Sequence, residues 1–304
     1  MLFTAALSPY LMLCAPVSMA LLILARRWIL AILAIGLTVT MLAVQLPLYV
    51  GSDTARTGGV GLRVISANLR DGQAEPQYLA SLAREQTDVL AVQELTPAEV
   101  DRLSAAGLDA IFPYRWLDAR GGAQGVGLWS RFPLDATRRI GGYTFALVSA
   151  QIRVPGISID PTLVVIHLAG PWPQPMDDWR RDIGLLPATL HEVAERAGSG
   201  CLIAAADLNS TTDMRPFRTL LRDGYQDAAE QSGSGIQPTF PGDSRLPPLI
   251  AIDHILVRNC TVTSLRTMKI PGSDHRGIVA TVMIPRSPAS LKVSELSMAT
   301  TGGD

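Results

Sequence analysis

The chain has 304 residues, 48% hydrophobic and 17% charged, enough apolar material for a large core in one or two domains. Its formal net charge is −1, and because residues 1–50 carry only Arg26 and Arg27, the remainder is mildly acidic and gives no sign of a broad basic footprint for nucleic acid. Three cysteines exclude a disulfide framework, and their spacing fits no zinc pattern.

Residues 1–25 are uncharged and mostly apolar, and residues 28–50 form a second such run. Each is long enough to cross a bilayer as a helix of about 20 residues. Arg26 and Arg27 form the whole connection, so the pattern predicts a two-helix transmembrane anchor over residues 1–50. A cleaved signal peptide fits less well, because no positive stretch precedes the first run and a second long run follows it. A lipoprotein site at Cys14 is disfavoured by the bulky Leu13 before it. Cytoplasmic loops hold the excess of Lys and Arg, which predicts a multi-pass protein of the plasma membrane with the Arg26-Arg27 turn inside and everything after residue 50 outside the cytoplasm. Arg56 and Arg63, close behind the second run, partly balance that count.

Residues 51–61 read as a small-residue linker. From there to residue 285 the apolar runs predict one domain. Residues 62–69 form a strand, 76–85 a helix, and 89–95 a strand buried on both faces. Thr96-Pro97 then opens a helix with Glu99 closing a capping box. Strands follow over 125–131, 145–154 and 163–168, then a helical region over 176–197 that Pro187 is expected to split in two. A strand over 201–208, a helix around 214–222 and a Gly- and Pro-rich loop over 232–248 precede strands at 252–257, 262–268 and 278–284. The tail, 286–304, lacks an apolar period and is expected to be disordered. Strands outnumber helices without strict alternation, which favours two sheets covered by helices over a doubly wound parallel sheet.

The apolar runs end on polar residues: Asn68, Glu94, His167, Asp207 with Asn209, and Asp253. Gly272-Ser273-Asp274-His275-Arg276 adds a carboxylate and an imidazole side by side in a turn. Each residue alone has a bland role, as a cap, an Asx-turn or a hydrogen-bonded core histidine. Together, six segments place a ligand-type or proton-transfer residue at the end of an apolar run, and three of the four histidines fall within them. Hard oxygen donors suit magnesium or manganese and not zinc. A cation on phosphoryl oxygens, an oriented water and proton transfer are what phosphate-ester hydrolysis needs.

Asn68, Gln93-Glu94, Ser130-Arg131-Phe132-Pro133, Ile166-His167-Leu168, Asp207-Leu208-Asn209, Asp253-His254-Ile255 and Gly272-Ser273-Asp274-His275 resemble, in order, the motifs of the endonuclease/exonuclease/phosphatase superfamily over residues 62–285. Ala206 and Leu208 depart from the more usual Gly and Phe around the Asp-x-Asn motif. The resemblance implies an α/β (α+β) fold, a four-layer α/β/β/α sandwich of two sheets with the site at one edge. It also implies a divalent-metal-dependent phosphodiesterase or phosphatase. In its terms Glu94 is the principal magnesium (or manganese) ligand, with Asn68 beside it and Asp274 at a metal position or its surroundings. Asp207 orients or deprotonates the attacking water, Asn209 holds a phosphoryl oxygen, Asp253 fixes and charges His275, and His167 is the second imidazole on the phosphate or leaving group.

The expected partner is a phosphoester, either a lipid headgroup beside the anchor or another extracellular phosphoester, with no obligate protein partner evident. A nuclease is the rival enzyme, and a non-catalytic binding module on the same fold is the rival of another class. His254 faces away from the site if Asp253 faces it, since side chains alternate along a strand. His191 has no motif partner. Cys201 and Cys260 fall at the same far end of two strands, where a disulfide and two ordinary buried thiols stand as equal readings.

Overall fold

The computed structural model describes residues 2–51, 58–171 and 174–287. The middle of the expected linker and nearly all of the expected disordered tail lie outside those residues.

The N-terminal part is helical: α1 (Leu2–Ala6), α2 (Ser8–Met12), α3 (Cys14–Leu24), α4 (Trp28–Gln45) and α5 (Pro47–Val50). The first apolar run is therefore not one long helix. Pro9 and Pro16 lack the N–H groups that would bond back to Ala5 and Met12, so the helix is interrupted at Leu7 and Leu13. The Ser8 hydroxyl donates to the Ala5 carbonyl instead, at 2.8 Å. Among the described residues, one helix, Trp28–Gln45, is long and apolar enough to cross a membrane; α2 and α3 together form a shorter apolar stretch folded back against it.

Strands follow in the order β1 (Gly59–Asn68), β2 (Val89–Gln93), β3 (Tyr114–Asp118), β4 (Val126–Ser130), β5 (Leu134–Ile140), β6 (Leu147–Ile152), β7 (Thr162–His167), β8 (Leu202–Asp207), β9 (Gln226–Asp227), β10 (Asp253–Arg258), β11 (Thr261–Lys269) and β12 (Arg276–Pro285). They make two six-stranded mixed sheets, ordered β11-β12-β1-β2-β4-β3 and β5-β6-β7-β8-β10-β9. Strands β3, β5 and β9 were not legible in the sequence. Each is an edge strand, and the exposed, Arg-bearing β5 has no apolar run to mark it.

Alternation assigns the layers. Val64, Ala91, Leu128, Val148, Leu163, Val165, Ile203, Ala205 and Ile255 meet between the sheets. Their neighbours Ile65, Leu90 and Trp129 point outward, beneath α6 (Pro76–Gln86), α7 (Pro97–Ala105) and α8 (Leu108–Ile111). Val164, Ile166, Ala204, Ala206 and Leu256 point the other way, beneath α9 (Met176–Ala197) and α10 (Arg215–Leu220). The result is the four-layer α/β/β/α sandwich, with α11 (Ala228–Gln231) at one side.

Helix α9 is continuous for 22 residues, where Pro187 was expected to divide it. The face carrying Trp179, Ile183, Leu186, Leu190 and Val193 is buried on the second sheet, and that burial outweighs the one backbone bond Pro187 removes. At α7 half of the expected capping box forms. Thr96 Oγ1 accepts from the Glu99 N–H at 3.1 Å, while the Glu99 carboxylate bonds Arg102 at 2.7 Å. Cys201 and Cys260 form a disulfide, with Cα atoms 5.3 Å apart at the end of the neighbouring strands β8 and β10 remote from Asp207 and Asp253.

Candidate active site

The alternation that puts Val64 and Ser66 between the sheets also puts Asn68 there, at the end of β1. It does the same for Gln93 on β2, His167 on β7, Asp207 on β8 and Asp253 on β10. Register brings these ends level: Asn68 pairs with Gln93, His167 with Asp207, and Asp207 with Asp253. Both sheets thus deliver polar residues to the same edge, where the two meet.

Asn68 joins them. Its Nδ2 donates to Glu94 Oε1 and to Asp207 Oδ2, each at 2.9 Å, so one amide bridges a carboxylate of each sheet. Its Oδ1 accepts from the Arg70 N–H at 2.8 Å, which leaves a second lone pair. Gln93, fully buried behind it, donates to Ser66 Oγ at 3.1 Å. Glu94 has φ +58, Asn209 +48, Arg70 +48 and Asp71 +50, so the turns that present these side chains lie in the left-handed region. Such conformations are strained for residues other than glycine and cluster at functional sites.

His275 comes from the Gly-Ser turn. Gly272 has φ +85, and a Cβ there would stand 2.2 Å from the Gln73 carbonyl, so only glycine fits. Ser273 Oγ donates to the Asn68 carbonyl at 2.8 Å and accepts from the His275 N–H at 3.0 Å, tying this turn to β1. His275 Nδ1 then lies 2.8 Å from Asp253 Oδ2 and 3.7 Å from Asp207 Oδ2. Burial works against a charged His275, but Asp253 and Asp207 outweigh it and push its pKa up to about 10. Burial first, and Asp253 second, push Asp207 up to about 6. Ligand atoms of Asp207, Asp253 and His275 all lie within 4.8 Å of one another.

His167 Nδ1 sits 2.9 Å from the Ala123 carbonyl, which can only accept, so Nδ1 carries a proton. Its Nε2 faces Asp207 Oδ2 at 3.6 Å and Glu94 Oε1 at 3.9 Å. Asn209 Nδ2 donates to the Leu168 carbonyl at 3.0 Å, and its backbone N–H bonds Asp207 Oδ1 at 3.0 Å. Asp274 is half-buried, which raises its pKa, and faces the same cavity as Glu94, Asp207, Asn209 and His275. All eight expected residues therefore meet at one edge.

His254 lies on the opposite face of β10, with Nδ1 2.8 Å from Asp227 Oδ2, Nε2 3.0 Å from the Ser210 carbonyl and its ring against Phe217. His191 pairs with Asp223 on the surface at 3.2 Å. The Ser130-Arg131 motif is structural: Arg131 bonds the Thr87, Ala83 and Arg84 carbonyls at the end of α6.

Sequence reasoning missed four residues of the site. Phe145 and Phe240 pack on the rings of His167 and His275, with centroids 4.8 and 5.1 Å apart. The Asp71 N–H holds Glu94 Oε2 at 2.7 Å, and Arg70 forms an ion pair with Asp243 at 2.6 Å beside Asp274. The Asp71-Gly72 pair, a turn signal directly after a strand, could have pointed to the last two. Phe145 opens a predicted strand and Phe240 falls in the Gly- and Pro-rich loop, and neither pattern tied its ring to the site.

A two-sheet sandwich of the α+β class brings carboxylates and imidazoles together at one edge. The model of the Endonuclease/Exonuclease/phosphatase family matches residues 59–275, and the chain belongs to that family, whose members are hydrolases acting on phosphoesters. No curated protein matches the chain. Among solved structures it is similar to humanized D. rerio TDP2, at 21% identity and TM-score 0.60, over 73% of this chain and 98% of that one. It is similar to 3′ phosphatase NExo from Neisseria, bound to a product DNA hairpin, at 18% identity and TM-score 0.56, over 72% and 98%. It is also similar to a mannosyl-6-phosphatase of Bacteroides thetaiotaomicron, at 14% identity and TM-score 0.58, over 73% and 99%.

Proposed function

We propose that the chain is a divalent-metal-dependent phosphoesterase, held at the membrane by its N-terminal helices with the catalytic domain outside the cytoplasm. The observation that carries this reading is the Asn68 amide shared by Glu94 and Asp207, with the Asp253–His275 pair alongside.

Glu94, Asn68 and Asp274 would hold magnesium or manganese, because Glu94 and Asp274 offer hard oxygens at one cavity and Asn68, hydrogen-bonded to Glu94, keeps a lone pair on its oxygen. The ion, when bound, supplies positive charge to the phosphoryl oxygens. Asp207, raised toward neutrality, takes a proton from the attacking water. The water oxygen bonds to phosphorus, the ester P–O bond breaks, and the leaving oxygen accepts a proton. His275, charged and oriented by Asp253, steadies the negative charge that develops in between. His167 Nε2 faces the same space, and the second N–H of Asn209 is placed for a phosphoryl oxygen.

The Cys201–Cys260 disulfide supports the compartment, since such bonds persist in oxidising surroundings. Reporter fusions at residues 26 and 60 test the topology. The activity is tested on bis-(p-nitrophenyl) phosphate, DNA, sphingomyelin and phosphoinositides with magnesium, manganese or chelator. We expect hydrolysis that the chelator abolishes; DNA as the preferred substrate would establish the nuclease reading, and no turnover across the panel the non-catalytic one.

A further inference from the structure

The N-terminal helices do more than precede the two-sheet domain, because both ends of the apolar hairpin are built into it. At the second arm, α4 ends at Gln45 and α5 docks directly on α11, with the Gly235 N–H bonding the Leu48 carbonyl at 2.7 Å. At the first arm, Tyr10 Oη donates to the Leu249 carbonyl at 2.7 Å, and Ala6 is buried in the same apolar cluster as Trp179, Leu208 and Met214. The Arg26-Arg27 turn is the distal end. Helix α4 is roughly 27 Å long at 1.5 Å per residue, so if it spans a bilayer the contacts at Leu48 and Tyr10 would hold the domain against the membrane surface.

Ala6 also lines the catalytic cavity. That cavity has a volume of about 570 Å³, with Glu94, His167, Asp207 and His275 on its polar side. Ala6, Phe145, Met176, Met214, Phe240 and Ile252 supply most of its apolar lining, Phe145 and Phe240 lying against the two imidazoles, and Gln174, Asn209 and Asp274 line it as well. Among the described residues that line it, none is Lys or Arg. A polynucleotide would need cations for the phosphates flanking the scissile one. Hydrocarbon needs none, and the apolar side chains of the lining can bury it.

Resting on the phosphoesterase reading above, we propose that the substrate is a phosphoester whose organic group is a hydrocarbon chain entering from the bilayer. Its first methylenes lie in the cavity closed by Ala6, and its phosphate lies among the catalytic carboxylates and imidazoles. The N-terminal helix α1 is then part of the substrate site.

The test uses the full chain in phosphatidylcholine nanodiscs with magnesium and a series of p-nitrophenyl alkyl phosphates, methyl, butyl, octyl and dodecyl, which share one leaving group. Alkyl phosphate monoesters of the same lengths, followed by phosphate release, run beside them. Burial of a methylene is worth about 0.8 kcal/mol, a factor of about three to four, so kcat/KM should climb steeply with length until the cavity is filled. A flat or falling series, with the methyl ester turned over, overturns the inference and leaves the phosphoesterase reading standing. No hydrolysis of any member removes that reading and this inference with it. For the dodecyl ester the rate should follow its mole fraction in the bilayer; a rate that follows bulk concentration would overturn the membrane source. Ala6→Trp, which fills the cavity, should lower the octyl-to-methyl ratio of kcat/KM by about tenfold, roughly two buried methylenes. That ratio does not depend on how much of the variant folds, and an unchanged ratio would overturn the placement of the chain.

Discussion

On the proposed phosphoesterase reading His275 and Asp253 act as one device, because the carboxylate lies 2.8 Å from Nδ1 of the ring and sustains its charge against burial. His275→Ala and Asp253→Asn should each lower kcat, and the double variant should lose little more than the worse single one. Additive losses in that cycle would break the pair. Glu94→Gln keeps side-chain volume but replaces the carboxylate, so if Glu94 holds the metal it should cut kcat by about a hundredfold, the upper end of what removing partners around a metal site costs. Magnesium should raise the melting temperature of the wild type and not of this variant. A second buried pair has a different consequence. Burial disfavours charge on His254, but the bond and charge of Asp227 outweigh it and raise its pKa above the ordinary 6.5. Because the folded value is the higher one, the stabilisation is fully present below about pH 6.5 and is lost as pH rises through the folded pKa. His254→Gln should cost about 3 kcal/mol near pH 6 and less at pH 9, since it leaves Asp227 buried without its counter-charge. Melting of wild type and variant in detergent measures this, and parallel curves from pH 6 to 9 would argue against a charged His254.

Among the elements, α9 is held by its buried face and not by its own propensity. It carries both Gly184 and Pro187 in its interior, and a Cβ at Gly184 would meet nothing within 4 Å. Gly184→Ala should therefore stabilise the protein by about 1 kcal/mol, read as a higher melting temperature with unchanged turnover. The same distinction explains which elements could be read in advance. β2, β7 and β8 are buried along their whole length and appear as continuous apolar runs ending on Gln93, His167 and Asp207. β3 and β5 exist because a neighbouring strand supplies hydrogen bonds at a sheet edge, and their own residues alternate too weakly to announce it. The capping box at Thr96 was half legible for a related reason. The N-cap bond is local, whereas the Glu99 carboxylate was drawn to Arg102, which also bonds the Gly72 carbonyl thirty residues away.

At the scale of the whole molecule, the Cys201–Cys260 disulfide closes a loop across a sequence separation of 59. By chain-entropy arithmetic its removal should cost about 4 kcal/mol. The double variant Cys201→Ala, Cys260→Ala should melt lower by a corresponding amount, and mass spectrometry of non-reduced protein recovered from membranes should find the two cysteines linked. Two free thiols there would remove the bond and the support it lends to an outside location. The residue sequence by itself determined the strand ends, the oxygen-rich donor set and the inward parity of Asn68, His167, Asp207 and Asp253, since these depend on local order and a period of two. It also marked the apolar hairpin. Only the tertiary structure decided that β8 and β10 are neighbours, that Ser273 ties the last motif to β1, and that Phe145 and Phe240 back the two imidazoles. It alone brought α1 over the second sheet, so that Ala6 lines the cavity shared by Glu94, Asp207 and His275. Those contacts join residues tens to hundreds of positions apart, and no local period encodes them, because they arise from the closing of one layer on another.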